Sequence, residues 1–223
     1  MTPFADFARE QLPAPPARLL EVGCGQGALT TALAASGYAV LGIDPAAPHG
    51  ELFRRLTLEE LDEPGPYDGV LAAVSLHHIR DLDAALDKIA GLLRSGGVLV
   101  VEEFAWDRLD GATLEWLHGQ RRALAAAGRG EDPGTVEELE REWKAEHLGL
   151  HGEDPLRLGL AAHFEERAFA RTPYLHRMLG GGQTEVLEQA LVEAGAIQAV
   201  GFRYAGTPRP RSVAGSASAR PGI

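Results

Sequence analysis

The chain is poor in several features that particular protein classes require. Its 223 residues contain one cysteine, Cys24, which excludes an internal disulfide and a cysteine-rich zinc site and is typical of a reducing compartment. No apolar run approaches the roughly 18 residues that cross a bilayer, and the first residues lack the basic and apolar regions of a secretory signal. We therefore expect a cytoplasmic protein with no membrane partner.

Basic residues are scarce as well. Lysine and arginine number 21 against 32 acidic residues, which gives a formal net charge of −11. Because nucleic-acid binding depends on a basic surface, this balance predicts no nucleic-acid partner. The basic cluster that is free of acids lies near the end, where Arg209, Arg211 and Arg220 occur among Pro, Ser and Gly residues. This composition predicts a flexible tail over 207–223.

Histidines at metal-ligand spacing are also lacking. His77 and His78 are adjacent, so their side chains point in different directions. His147 and His151 have no third ligand on the same element. The sequence therefore predicts no metal site.

What the chain does contain is a glycine-rich turn bracketed by carboxylates. A short apolar run ends at Glu21, and three alternate glycines beginning at Gly23 lead into an alanine-rich helix, while a second apolar run closes on Asp44. This pattern is typical of a buried strand, a tight turn that lets the backbone approach a ligand, and a helix N-terminus. Two carboxylates beside such a turn suit a ligand with an ammonium group at one point and a ribose diol at another. S-adenosylmethionine has both.

Residues 18–104 alternate between strand and helix patterns. This alternation is typical of a doubly wound α/β fold with a mostly parallel sheet, whose ligand crevice lies beyond the carboxyl ends of the strands. The predicted strands are Arg18–Val22, Ala39–Asp44, Tyr67–Val74 and Gly97–Phe104, and the predicted helices between them are Leu29–Ala35 and Asp81–Leu93.

Residues 107–182 differ from the sheet-forming segments. They hold two of the three tryptophans and several helical stretches, one of which opens with a capping box from Thr135 to Glu138. After them Thr184 begins a last helix, and Ile197–Tyr204 follows as a predicted strand. The residues expected to face inward on the last helix are Val186, Leu187, Ala190, Leu191 and Ala194.

These patterns predict a sheet domain with a helical insertion. The insertion lies between the fifth strand and the last helix and is expected to cover the active site. The predicted boundaries are 1–106 and 183–206 for the sheet domain, 107–182 for the insertion and 207–223 for the tail.

Four segments resemble, in their order, the motifs of class I S-adenosylmethionine-dependent methyltransferases. They are Glu21-Val-Gly-Cys-Gly-Gln-Gly27, Gly42-Ile-Asp44, the stretch from Tyr67 to Ile79 with its paired histidines, and Leu92-Leu-Arg-Ser-Gly-Gly-Val-Leu-Val-Val-Glu102. Each is weak alone, and their specificity comes from the shared order over residues 18–104. The resemblance implies a Rossmann-like sheet of seven strands or fewer, S-adenosylmethionine as cofactor and methyl transfer as the activity.

The resemblance also implies roles for particular residues. The glycine turn would lie under the methionine part of S-adenosylmethionine, with Glu21 facing the ammonium group. Asp44 would accept hydrogen bonds from both ribose hydroxyls, and residues 74–78 would line the crevice near the sulfonium. Adenine recognition points to the segment around Glu59. The cofactor-binding residues implied in this way are Glu21, Gly23, Cys24, Gly25, Gly27, Asp44, Pro45, Leu58, Glu59, Val74 and His78.

Two features depart from the family pattern. Only seven residues separate Asp44 from the next predicted strand, Leu52–Leu56, whereas a parallel crossover needs about ten or more. The helix expected there is therefore shortened or lost. The tail from Gly206 offers no apolar run for the antiparallel final strand that the family usually has, and Arg167–Leu175 is the alternative source of that strand.

Candidate catalytic residues come from two places. His77 and His78 follow a buried strand, where a neutral imidazole can accept a proton from a hydroxyl or an amine; the alternative is that one of them stabilises the loop. Tyr174 and His176 lie in a proline-broken segment that tends to present side chains to a cleft. The aromatic and histidine residues that either line an acceptor pocket or fill a core are Trp106, Trp116, Trp143, His147, His151, His163, Phe164, Phe169, Tyr174 and His176.

A competing class is a nicotinamide or flavin enzyme, because Gly23-x-Gly25-x-x-Ala28 also satisfies the dinucleotide fingerprint. Glu21 would be poorly placed against a pyrophosphate and the paired histidines would have no role, which favours the methyltransferase. We predict methyl transfer from S-adenosylmethionine to an O, N or C atom of a small-molecule acceptor by a monomer or homodimer. A non-catalytic S-adenosylmethionine-binding regulatory protein and a methyltransferase acting on a protein are the alternatives.

Overall fold

The computed structural model describes residues 3–210, and one mixed sheet runs through its centre. Its strands lie in the order β3-β2-β1-β4-β5-β7-β6. Strands β1 to β5 pair in parallel, whereas β7 is antiparallel to both of its neighbours. The predicted doubly wound, mostly parallel sheet of seven strands is confirmed. The strands are β1 Arg18–Val22, β2 Ala39–Ile43, β3 Phe53–Arg54, β4 Tyr67–Ala73, β5 Leu93–Phe104, β6 Phe164–Thr172 and β7 Gly201–Pro208.

Helices cover both faces of the sheet because strand side chains alternate between the faces. In β1, Leu19 packs with Phe4 of the first helix and Leu33 of the second, whereas Leu20 packs with Leu86 of the third. The helices are α1 Pro3–Gln11, α2 Ala28–Ala35, α3 Leu82–Leu92, α4 Gly111–Ala126, α5 Val136–Glu146, α6 Glu153–His163 and α7 Gln183–Glu193.

Helices α4 and α5 form a third apolar cluster around Phe104 and Trp143. Helix α5 begins with the predicted capping box, in which the Glu138 N–H donates to Thr135 Oγ1 (3.2 Å) and the Thr135 N–H donates to a Glu138 carboxylate oxygen (2.8 Å). The Trp143 indole N–H donates to the carbonyl oxygen of Trp106 (3.0 Å). The aromatic residues of this region therefore build a core between the helices and the end of β5.

The outer strand of the sheet comes from inside the predicted insertion. Strand β6 begins at Phe164, three residues before the predicted segment Arg167–Leu175, and pairs with β7 along its length. Because Phe164 is fully buried against the core beneath α3 and α6, the strand starts at this apolar residue. Segment 107–182 thus contributes a strand to the sheet as well as three helices.

Strand β7 begins later and ends later than the predicted strand Ile197–Tyr204. The apolar residues before Gly201 are buried in a loop, where the Gln198 N–H donates to Thr113 Oγ1 of α4 (2.8 Å), so their burial does not come from a strand. The strand continues past 206 to Pro208, beyond the predicted start of the tail. Of the basic residues assigned to that tail, Arg211 and Arg220 lie outside the described residues.

Helix α7 turns a polar residue inward, and the predicted inward face is wrong. Val186 is 72% and Leu187 44% exposed, whereas Glu188 is fully buried. Glu188 accepts hydrogen bonds from the backbone N–H groups of residues 174–176, and this contact fixes the rotation of the helix. Among the other residues predicted to face inward, Ala190 and Ala194 are exposed and Leu191 is half-buried.

The connection from β2 to β3 is as short as its spacing predicts. Residues 45–52 contain no helix, and β3 is reduced to Phe53–Arg54. The Gly42 N–H donates to the carbonyl oxygen of Leu52 (2.8 Å) and the Asp44 N–H to that of Arg54 (3.2 Å). The end of β2 is therefore held by a short loop rather than covered by a helix.

Candidate active site

A cavity of about 750 Å³ lies at the carboxyl ends of β1, β2 and β4, the switch point of the strand order. Its volume and mostly apolar wall are typical of a small-molecule site. Gly27 alone among the residues predicted to bind the cofactor lies outside this wall, because the Phe53 ring occupies the space beside its Cα. The predicted residues that line the cavity are Glu21, Gly23, Cys24, Gly25, Asp44, Pro45, Leu58, Glu59, Val74 and His78.

Glycine is required at the two cavity-lining positions, 23 and 25, for different structural reasons. Both adopt a left-handed backbone, with φ of 73° at Gly23 and 51° at Gly25, which favours glycine. A Cβ on Gly23 would collide with Ser75 in the loop after β4, so this glycine permits close packing of two loops. A Cβ on Gly25 would meet nothing within 4 Å, so its backbone borders open cavity space. A ligand can therefore approach the chain closely at Gly25.

Asp44 holds the same turn from the end of β2. Its Oδ2 accepts a hydrogen bond from the Gly25 N–H (3.1 Å) and its Oδ1 accepts one from the Ala46 N–H (2.7 Å). The side chain lines the cavity and is only partly buried. Each carboxylate oxygen has a second lone pair, so Asp44 can accept hydrogen bonds from a diol while it still supports the turn.

Glu21 is the buried carboxylate of the cavity wall. It is 2% exposed and accepts a hydrogen bond from Thr30 Oγ1 of α2. Burial raises the pKa of Glu21 from 4.5 to about 7, against the lowering effect of the Thr30 hydrogen bond. A cation bound beside the carboxylate favours its ionised form, so this group can release a proton on binding a cation near neutral pH.

Replacing Glu21 by glutamine is expected to stabilise the protein in a pH-dependent way. The raised pKa means that the folded state binds the proton more tightly than the unfolded state, so ionisation of Glu21 destabilises the fold progressively from about pH 4.5 to 7. We expect Glu21→Gln to have a free energy of unfolding close to that of the wild type at pH 5 and roughly 2–3 kcal/mol higher at pH 8. Urea unfolding at both pH values measures this difference.

The exposed carboxylate of Glu59 in the same cavity wall provides the matched control. Glu59→Gln makes the same chemical change at an exposed position, so it shows how much of the effect on unfolding comes from the substitution rather than from burial. A stability difference between Glu21→Gln and the wild type that stays constant from pH 5 to 8 would contradict the assigned ionisation.

Cys24, Leu58 and Glu59 complete the wall of the first cavity. Burial raises the pKa of the Cys24 thiol to about 12, so the thiol stays protonated and inert. Leu58 is buried at 3% exposure, whereas Glu59 is exposed beside it. The Lys88 ammonium group donates to the carbonyl oxygen of Glu59 (2.9 Å), which fixes this segment against α3.

A buried carboxylate from β5 fixes the loop after β4. Glu103 is fully buried and accepts hydrogen bonds from the N–H groups of Ser75 (3.0 Å) and Leu76 (2.7 Å) and from the His77 ring at Nδ1 (2.7 Å). Val74 enters this loop at φ 55°, a left-handed conformation that β-branched residues rarely adopt. The Glu103 bonds hold this strained backbone where Val74 borders the cavity.

The two adjacent histidines have different environments. His77 is 4% exposed and lines neither of the two cavities, because its ring turns toward Glu103. His78 lines the first cavity. Desolvation, and then the neighbouring His77, lower the pKa of His78, so its imidazole is neutral at pH 7.

A second cavity of about 610 Å³ adjoins the first. The two cavities share Ala28, Leu29 and Ala73 in their walls. The rest of the second wall comes from helices α1, α2 and α7, from the strands β5, β6 and β7, and from the segment after β6. Its polar residues are Glu102, Thr172, His176, Arg177, Glu185, Gln189 and Arg203.

His176 reaches this second cavity and is oriented by a buried carboxylate. Glu188 accepts hydrogen bonds from the His176 backbone N–H (2.7 Å) and ring Nδ1 (3.0 Å). Because a carboxylate at this distance accepts, ring Nδ1 donates its hydrogen to Glu188, and Nε2 is left for other contacts. The nearest carboxylate to Nε2 is Glu185, at 3.9 Å. The arrangement can take up a proton at Nε2.

Tyr174, which was predicted beside His176, does not line either cavity. Its ring stacks on Phe104, with 4.3 Å between the ring centres, and Arg177 lies 4.8 Å from the ring centre. Burial raises the pKa of Tyr174. Of the aromatic and histidine residues in this part of the chain, His176 alone lines one of the two cavities. The others pack in the core or between helices, so helices α4 to α6 do not line the site.

Several residues of the site were missed by the sequence analysis. Glu102 and Glu103 could have been identified from the sequence, because two consecutive acids at the end of a buried apolar strand need polar partners. Glu188 gives a weaker signal, because a helical glutamate is ordinarily exposed. Arg177 and Arg203 give none, because each reaches the second cavity only through the pairing of distant segments.

The fold and the site together define a Rossmann-like methyltransferase. The chain belongs to the methyltransferase domain family, whose model matches residues 3–147. This match confirms the predicted family and enzyme class, with S-adenosylmethionine as the cofactor. The match ends just after α5, so residues 148–223 lie outside it.

Individual relatives match over shorter stretches. A ubiquinone biosynthesis O-methyltransferase of Bradyrhizobium sp. (strain ORS 278) is 35% identical over 97 residues, which cover 38% of each chain. The chain thus spans less than two fifths of the length of this curated relative.

Solved structures match the whole fold at low identity. An S-adenosylmethionine-dependent methyltransferase of Listeria monocytogenes has a TM-score of 0.57 at 16% identity and covers 92% of this chain and 96% of its own. The 1,6-didemethyltoxoflavin-N1-methyltransferase of Burkholderia thailandensis, with bound 1,6-didemethyltoxoflavin and S-adenosylhomocysteine, has a TM-score of 0.54 at 19% identity, with coverage of 94% and 78%. These likenesses show the same fold.

Two further properties follow from the described residues. Across residues 3–210 no helix is both long and apolar enough to span a bilayer. Within that same range, no three His, Cys, Asp or Glu side chains come together in a way that could hold a metal ion.

Proposed function

We propose that the protein transfers a methyl group from S-adenosylmethionine to an oxygen or nitrogen atom of a small-molecule acceptor. The first cavity would hold the donor and the second cavity the acceptor. The observation that carries this proposal is their contact, since Ala28, Leu29 and Ala73 border both. A methyl group must pass directly between donor and acceptor, and two adjoining cavities of ligand size allow that.

The residues of the first cavity fit the donor. Asp44 would accept hydrogen bonds from the ribose hydroxyls, and Glu21 would neutralise the ammonium group with support from Thr30. The backbone at Gly25 leaves room for a close approach. When bound, S-adenosylmethionine supplies an electrophilic methyl group on a sulfonium centre.

The remaining work of the chain is alignment and proton removal. The two alanines where the cavities meet, Ala28 and Ala73, would let donor and acceptor approach, and the apolar walls would exclude water. Correct alignment of two reactants can be worth about 7–11 kcal/mol. His176 would accept the proton of an acceptor hydroxyl or amine at Nε2 while Glu188 holds the ring and stabilises its protonated form.

Several finer properties belong to the same proposal. An oxygen or nitrogen acceptor agrees with the printed activities of the O-methyltransferase and N1-methyltransferase relatives. The second cavity is enclosed by α1 and α7 and has the volume of a small-molecule site, which favours a small acceptor over a protein. We propose a cytoplasmic enzyme that works as a monomer or homodimer, because the composition is acidic and has a single cysteine.

Two measurements test this proposal. Calorimetry with S-adenosylhomocysteine should detect binding to the purified protein, and no binding at millimolar concentration would contradict the donor site. Incubation with labelled S-adenosylmethionine and a panel of small phenols, carboxylic acids and amines should release S-adenosylhomocysteine with at least one member. Binding without turnover on any acceptor, in the panel or in a metabolite extract, would favour a non-catalytic binding protein. Labelling confined to the protein fraction of an extract would favour a protein acceptor.

A further inference from the structure

The wall of the second cavity contains one carboxylate between two guanidinium groups. Glu102 of β5 pairs with Arg177 through Oε2 (2.5 Å) and with Arg203 of β7 through Oε1 (3.0 Å). The carboxylate is 5% exposed, Arg203 is 17% exposed and Arg177 is 37% exposed. All three residues line the second cavity and none lines the first. The three side chains together carry one positive charge in excess.

The hydrogen-bonding capacity of these arginines is only partly used. Arg203 donates to Glu102 through Nε, and its two terminal nitrogens have no hydrogen-bond partner elsewhere in residues 3–210. A guanidinium has five N–H donors, so a partly buried one with unused donors is suited to receive a planar anion in a two-point contact.

A second arginine–glutamate–arginine group shows what a purely structural arrangement looks like in this protein. The Glu153 carboxylate accepts hydrogen bonds from both terminal nitrogens of Arg171, at 2.6 and 2.5 Å. One of its oxygens lies 3.4 Å from a terminal nitrogen of Arg108. Arg108 also donates hydrogen bonds to the side-chain oxygen of Gln198 and to the carbonyl oxygen of Ala199. This group lines neither cavity. The terminal nitrogens of Arg171 and Arg108 all have partners, whereas those of Arg203 are available.

The other charged groups of the second cavity do not cancel this excess at the arginines. Glu188 lies behind His176 and its oxygens are occupied by backbone and ring N–H groups. Glu185 is 41% exposed and lies near His176, so solvent screens its charge. The apolar part of the wall, which includes Phe4, Leu29 and Pro173, provides a surface for a carbon skeleton.

We propose that the second cavity selects acceptors that carry a carboxylate, with Arg203 and Arg177 as the specificity-determining residues. This inference rests on the proposed function, because it describes the acceptor of that reaction. The acceptor class is a small hydroxylated or aminated acid whose carboxylate contacts the arginines. Its apolar body lies against the wall and its nucleophile faces the junction of the two cavities.

Matched acids and esters test the inference. The probes are 3,4-dihydroxybenzoate, 3-hydroxybenzoate and 4-hydroxyphenylacetate, each with its methyl ester, titrated by calorimetry into protein saturated with S-adenosylhomocysteine. We expect at least one acid to bind about tenfold or more tightly than its ester, and Arg203→Gln to abolish that preference without changing affinity for the ester. Arg171→Gln, which removes the same charge from the structural group, should leave all affinities unchanged.

Three results would overturn the proposal. They are equal or tighter binding of every ester, no binding of any acid at 10 mM, and loss of S-adenosylhomocysteine affinity in Arg203→Gln, which would assign the arginines to the donor. Failure of the wild type to bind S-adenosylhomocysteine would instead contradict the proposed function. If Arg203→Gln does not fold, the more exposed Arg177→Gln carries the same expectation, with thermal unfolding as the check on structure.

Discussion

Replacing Asp44 by asparagine is expected to lower the affinity for S-adenosylhomocysteine by about 100-fold. In the proposed complex this carboxylate accepts hydrogen bonds from two ribose hydroxyls, and hydrogen bonds to charged groups are worth roughly 1.5–3 kcal/mol each. The amide also loses one of the two oxygens that now bind the N–H groups of Gly25 and Ala46. Calorimetric titration of S-adenosylhomocysteine into the variant and the wild type measures the change.

Asp68 offers a matched control for this experiment. It accepts hydrogen bonds from the Arg18 N–H (2.7 Å) and the Arg94 side chain (2.5 Å) at the opposite end of β4, away from both cavities. Asp68→Asn is expected to reduce stability while leaving the affinity unchanged. If Asp44→Asn binds S-adenosylhomocysteine as tightly as the wild type, the ribose does not lie beside this carboxylate and the donor assignment fails.

Replacing His176 by glutamine is expected to lower kcat by about 10²- to 10⁴-fold with the acceptor found in the screen, the range that a positioned base contributes. Glutamine keeps a polar side chain in the wall but cannot take up a proton. The affinity for S-adenosylhomocysteine should stay unchanged, because His176 lines only the second cavity. Single-turnover rates with saturating donor separate this effect from acceptor binding.

The Glu188→Gln variant tests whether His176 acts as a base or has only a structural role. Glu188 receives the ring Nδ1–H and three backbone N–H groups, so its amide variant should weaken the orientation of the ring and lower kcat by a smaller factor than His176→Gln. His77→Gln is the matched control, since His77 has the same kind of partner in Glu103 but lines neither cavity. If the kcat of His176→Gln lies within twofold of the wild-type value, His176 is not the base and catalysis comes from the alignment of the reactants alone.

The first cavity was predictable because its residues are local in the sequence. Glu21, the glycine turn and Asp44 lie within 24 consecutive residues, and the parallel register of β1 and β2 brings them together at one sheet edge. The motif therefore carries both the fold and the position of this cavity. The loss of the helix after Asp44 was equally predictable, because seven residues are too few to form a crossover helix.

The second cavity was not predictable for the opposite reason. Its wall joins Phe4, Glu102, His176 and Arg203, which come from four distant segments. Glu102 and Arg203 meet only through the antiparallel pairing of β5 with β7. The aromatic residues of the middle segment were compatible with either a pocket or a core. Trp106, Trp116, Trp143 and Tyr174 pack in one core cluster, and Phe164 and Phe169 pack in another. Composition cannot distinguish a pocket lining from a core.

Helix α7 was misjudged because periodicity assumes that apolar residues face inward. Here the inward contact is made by Glu188, whose oxygens accept the N–H groups of the turn that follows β6. An unpaired set of N–H groups in a neighbouring turn is invisible in a one-dimensional pattern. The rotation of the helix is therefore set by a tertiary hydrogen-bonding requirement.

The attachment of α7 differs from that of the central sheet. Glu188 is the only fully buried residue of this helix, and the helix follows three consecutive glycines with left-handed backbones, residues 180–182. Detaching it would transfer little hydrocarbon to water, and the hydrogen bonds given up would be replaced by solvent. The helical wall of the second cavity is therefore attached mainly through one carboxylate, whereas the central sheet and the glycine turn rest on extensive apolar packing.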